Sequence, residues 1–133
     1  MNDDKRLERL YDYTKWHIGI YLSVAGALTA AVGYLAEENK TRNLAPYVGS
    51  PKLLLAAVIF MFLAGVCGAV IASSSTECKT YDELWLCKQG PYGLRLMPGR
   101  VWAMFEHSFF WLSSACIALS VLTAEPVLKW LAK

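Results

Sequence analysis

The chain has 133 residues, 56% hydrophobic and only 18% charged, with a formal net charge of +2 and a mean hydropathy of +0.33. Soluble domains carry about 45–50% apolar residues, so this composition points away from an ordinary soluble domain. The small net charge excludes a nucleic-acid surface built on basic excess, and the length fits one domain, residues 1–133.

The N-terminal stretch "DDKRLERLYDYTK" balances Asp3, Asp4, Glu8 and Asp12 against Lys5, Arg6, Arg9 and Lys15. Acids at its start suit a helix N-terminus, where the backbone dipole is positive. Leu7, Leu10, Tyr11 and Thr14 recur at helical spacing, and no proline lies between Lys5 and Leu35. The segment is therefore expected to run unbroken into the first apolar run. Its role is either a cytoplasmic amphipathic platform for a partner or a lipid surface, or simply a solvated helical extension, and the second is preferred. A secretory signal would begin basic and carry a shorter apolar core.

The first span is expected at residues 16–35, "WHIGIYLSVAGALTAAVGYL", with His17 its one titratable group besides tyrosine. About 20 apolar residues cross about 30 Å of hydrocarbon. Gly19, Ser23, Gly26, Ala30 and Gly33 form a seam of small residues along it. Lipid supplies no hydrophobic drive between helices, so such a seam favours association by close backbone approach. The following segment, with Pro46 and Pro51, reads as a tight helix–helix connection. Its Asn39-Lys40-Thr41 matches a glycosylation acceptor, but so close to the membrane the match is read as chance.

The second span, 53–72, carries no charge and has Ala64, Gly68 and Ala72 at four-residue spacing, again a packing seam for this chain or another subunit. Residues 73–100 form the largest extramembrane piece. Apolar patches around Leu84–Cys87 and Leu94–Met97 flank "KQGPYG", whose glycines and proline make a turn. A small hairpin, or a short interfacial helix followed by a turn, is expected. Either must dock on the membrane surface, on the N-terminal helix or on another subunit, because so few elements make no core of their own. The glycines match no phosphate-loop spacing.

The third span, 101–124, begins "VWAMFEHSFFW". Glu106, Ser113, Cys116, Ser120 and Thr123 fall on one helical stripe, with His107 on the neighbouring face. Ionisable groups inside a span face protein or water, not lipid tails. Three readings compete. Glu106 pairs with His17 or an interfacial Lys or Arg and locks the helices, a ring of Glu106 side chains lines an oligomeric pore, or Glu106, His17 and His107 serve a proton relay or metal. The lock ranks first and the pore second. One Glu and two His at these spacings leave a metal short of ligands, so no metal or cofactor is expected.

Three such helices in so short a chain leave no layer to cover them in water. The expected fold is an all-α integral membrane protein of three transmembrane helices, the first extended by the N-terminal segment, with a short structured loop between the second and third. Lys and Arg are more numerous in the N-terminal segment (Lys5, Arg6, Arg9, Lys15) and second loop (Lys79, Lys88, Arg95, Arg100) than in the first loop and tail (Lys40, Arg42, Lys52, Lys129, Lys133). The positive-inside rule then puts the N-terminus in the cytoplasm and the C-terminus outside, in an inner or plasma membrane. Cys78 and Cys87 would stay thiols there, and Cys67 and Cys116 read as packing residues.

No catalytic constellation is visible, so an enzyme is not expected. The favoured function is a self-assembling membrane protein, a pore-forming or membrane-perturbing effector or channel. The alternative is an accessory or assembly subunit of a larger membrane complex. The expected partners are the lipid bilayer and either further copies of the chain or a larger membrane protein, with no nucleic acid.

Overall fold

A computed structural model describes residues 2–36 and 45–133. Five helices follow in chain order: α1 (Asn2–Ala36), α2 (Pro51–Ser75), α3 (Tyr81–Leu86), α4 (Gly99–Leu122) and α5 (Glu125–Leu131). Two short strands, β1 (Lys88–Gln89) and β2 (Met97–Pro98), pair antiparallel between α3 and α4, with Lys88 opposite Pro98 and Gln89 opposite Met97. Three helices are long and apolar enough to cross a membrane: Lys5–Leu35 within α1, α2 and α4. The segment expected to connect the first two spans, with its Asn39-Lys40-Thr41, lies largely outside the described residues.

α1 runs without a break from the charged N-terminal segment into the apolar run, as the absence of proline permits. α2 starts with Pro51 at its first turn, where a missing N–H leaves no bond unmade. It is the central helix, packed along α1 on one side and α4 on the other. Half of its most apolar window is buried, against 6% for α1 and 17% for α4. Its small residues make this placement workable: Ala57, Ala64, Gly65 and Gly68 are all buried, so two helix backbones approach it closely. Tyr21 from α1 and Met61 and Ala64 from α2 form the centre, flanked by Val24, Ala25, Phe109 and Phe110.

The third helix ends at Leu122 and not at Ala124 as the apolar run suggested. The physical reason is Pro126, whose ring would meet the Leu122 carbonyl if the helix continued. Ala124 turns to an extended conformation, and the chain restarts as α5, which carries an exposed Glu125–Lys129 ion pair at 2.6 Å.

The loop between α2 and α4 contains both of the expected alternatives, a helix and then a hairpin. Thr80 caps α3 by accepting from the Glu83 N–H at 3.2 Å, while the Glu83 carboxylate accepts from the Lys79 N–H at 2.8 Å. This Thr-x-x-Glu arrangement closely resembles a capping box. The hairpin tip turns through Tyr92 and Gly93, both at positive φ, 56° and 75°. Leu84 is fully buried, and its carbonyl lies so close to Gly99 that no β-carbon fits there. The Trp102 indole N–H donates to the Gln89 carbonyl at 3.0 Å and ties the hairpin to the first turn of α4. The Arg6 guanidinium lies 4.8 Å over the Tyr81 ring, so the loop docks on the N-terminal part of α1. At the other end of the bundle the Gly49 N–H donates to the Ser120 carbonyl at 2.8 Å.

Candidate functional site

Glu106 sits where α1, α2 and α4 meet, and is 2% exposed. The Tyr21 hydroxyl of α1 donates to its Oε1 at 3.1 Å. Gly68 of α2 lies against the same carboxyl: a β-carbon there would come 3.3 Å from Oε1 and 3.2 Å from Ile18 Cγ1. Tyr21 is itself buried, with its ring 5.7 Å from that of Phe110. The carboxyl is thus held by one residue from each neighbouring helix, a donor from α1 and an absent side chain from α2.

The carboxyl joins α4 to α1 through Tyr21, and its partner is neither His17 nor a Lys or Arg. His17 donates through Nδ1 to the Tyr13 carbonyl of its own helix at 2.8 Å and lies against the Tyr13 ring. His107 is exposed and donates to the Ala103 carbonyl at 2.7 Å. Depth explains the choice. α1 and α4 enter from the same end, and Tyr21 and Glu106 each lie five residues inside the start of their apolar run. His17 lies four residues shallower, about 6 Å along the axis. Glu106 faces the interior of its own chain.

The rest of the stripe divides. Ser113 donates to the Ala57 carbonyl at 2.8 Å, and Ser120 to the Ser50 carbonyl at 3.0 Å. Glu106, Ser113 and Ser120, spaced by sevens, are all buried against α2. Cys116 is half-buried, and Thr123 is exposed and bonds back to the Leu119 carbonyl at 2.7 Å. The acceptors at Ala57 and Ser50 are backbone groups, invisible to any residue pattern.

The two small-residue seams also part company. Ala64 and Gly68 are buried within the bundle and Ala72 half-buried. Gly19, Ser23, Gly26, Ala30 and Gly33 are all exposed, and β-carbons at the three glycines would meet nothing within 4 Å. Among the described residues no group of three or more His, Cys, Asp or Glu is arranged to hold a metal ion.

Cys78 and Cys87 are free thiols in the loop. Partial burial, with Glu83, Glu77 and Cys87 nearby, pushes the Cys78 thiol above its usual range. Less thiolate is then present at neutral pH. Iodoacetamide labelling of Cys78, followed by peptide mass spectrometry, is expected to rise with pH through a midpoint above that of a free thiol, about 8.5. A midpoint at or below that value contradicts this placement.

The architecture defines a three-helix protein with the dimensions of a membrane domain, its central helix packed on both sides and its first helix on one. Comparison with protein-family models, with curated proteins and with solved structures finds no match to this chain.

Proposed function

We propose that the protein is a non-catalytic, self-assembling membrane protein in which α1 is the assembly helix, with the N-terminal segment and the 76–98 loop on the cytoplasmic side of an inner or plasma membrane. One observation carries the reading. The seam Gly19–Gly33 is the longest run of small residues in a candidate span, and among the described residues it is exposed, with nothing within 4 Å of a β-carbon at any of its three glycines. Small residues on a span serve close approach to another backbone. The bundle uses the equivalent residues of α2 internally and leaves those of α1 open. A second copy of the chain is the occupant the seam fits, since two such faces are mutually complementary. The Glu106 carboxyl faces Tyr21 and Gly68 of its own chain, so this reading gives it no pore-lining role. Assembly, not conduction, is therefore the function proposed.

In mild detergent or nanodiscs the wild-type protein is expected as a homo-oligomer. Gly26→Leu is expected to weaken it by about tenfold or more, roughly 1.4 kcal/mol, without loss of helical content, because a β-carbon at Gly26 meets nothing within 4 Å. Crosslinking and analytical ultracentrifugation read this out. A monomeric wild type, or an oligomer indifferent to both Gly26→Leu and Gly19→Leu, rejects the proposal. Stoichiometric co-purification of such a monomer with another membrane protein favours the accessory-subunit reading instead.

A further inference from the structure

Between the end of α2 and the start of α4 lies a cleft of about 600 Å³ whose lining includes Glu77, Glu83, Lys88 and Arg95, with Leu86 and Leu94 also on its walls. This volume suits a small-molecule site. Both signs of charge share the cleft without neutralising each other. Lys88, Arg95 and Glu77 form no ion pair among the described residues, and Glu83 engages one oxygen with the Lys79 N–H. Leu86 and Leu94 are 57% and 55% exposed and give the cleft an open apolar side. The Trp102–Gln89 hydrogen bond holds the hairpin wall of this cleft against the first turn of α4. On the membrane reading above, on which this inference rests, that position is the headgroup layer. A ligand that pairs with both signs must carry an anion and a cation, next to an apolar portion.

We propose that this cleft binds the zwitterionic headgroup of an aminophospholipid. Lys88 and Arg95 take the phosphate, Glu77 and Glu83 take the primary ammonium, and Leu86 and Leu94 lie against the glycerol and upper acyl chain. Charge-assisted hydrogen bonds favour this pairing over a neutral ligand. A primary ammonium keeps three N–H donors for the carboxylates, which a trimethylammonium lacks. The basic pair also follows the general use of basic pockets for lipid phosphates.

The full-length protein is reconstituted in nanodiscs holding equal parts of phosphatidylethanolamine, phosphatidylcholine and phosphatidylglycerol. Lipid retained after detergent transfer is counted by native mass spectrometry. The wild type is expected to keep the ethanolamine lipid over the choline lipid by several-fold. Lys88→Ala with Arg95→Ala lowers all retained phospholipid by about tenfold, the loss of two charge-assisted contacts. Glu77→Gln keeps the phosphate contacts and loses the preference between the two amines. Glycerophosphoethanolamine competes, whereas inorganic phosphate competes only weakly. Equal retention of the three lipids, indifference to the double substitution, or equal competition by inorganic phosphate overturns the proposal. These residues are exposed, so circular dichroism is expected to show the variants folded. Release of the protein from vesicles by alkaline carbonate would instead refute the membrane reading itself.

Discussion

Glu106→Ala is expected to lower the stability of the bundle by about 2–3 kcal/mol, whereas Glu106→Gln costs under about 1 kcal/mol. Alanine removes the acceptor of the Tyr21 hydroxyl and leaves a hole where three helices meet, since Glu106 is buried and touches both neighbours. The Tyr21 hydroxyl is left buried without its acceptor. Glutamine keeps the side-chain length and an acceptor oxygen. Tyr21→Phe removes the same hydrogen bond from the other side, and a double-mutant cycle between the two positions should give a coupling of about 0.5–1.7 kcal/mol, the range of hydrogen bonds within membrane proteins. Denaturant titration in detergent, or steric trapping in bilayers, measures these differences. If glutamine proves as damaging as alanine, or if the cycle shows no coupling, the Tyr21–Glu106 bond is not what holds the three helices in register.

Gly68→Leu is expected to be more damaging still, by about 3–4 kcal/mol, combining overpacking with disruption of the buried hydrogen bond. A first carbon at this position already comes within 3.2 Å of Ile18 and 3.3 Å of the Glu106 carboxyl. Alanine therefore fits after small shifts of those two side chains. Leucine adds three more carbons, and α2 must move away from one neighbour. The same exchange at Gly26 meets open space and is expected to leave the fold intact while weakening assembly. The pair of variants separates packing within one chain from contact between chains. Equal loss of stability from both substitutions would mean that the α1 seam is part of the fold after all.

Much of this molecule follows from composition and period alone. Three apolar runs in a chain too short to cover them point to three long helices, and the absence of proline from Lys5 to Leu35 lets the first include the charged N-terminal segment. The polar stripe of the third helix was legible as an inward face because Glu106, Ser113 and Ser120 recur at sevens. The α3 helix is written in Thr80-x-x-Glu83, ahead of the glycines that make the turn. Tyr21 was the readable residue most easily missed. It matches Glu106 in depth and shares a face with Thr14, also buried, on the side of α1 away from the seam.

By itself, then, the sequence determined the number and apolar character of the three long helices, because these depend on runs of neighbouring residues. Only the tertiary structure decided which faces meet. Three helices with small or polar stripes allow several pairings of similar chemistry, and the choice rests on depth, backbone acceptors and the width of α2. Once α2 takes the centre, its small residues are consumed between two neighbours, Glu106 is enclosed with Tyr21, and the seam of α1 is left facing outward.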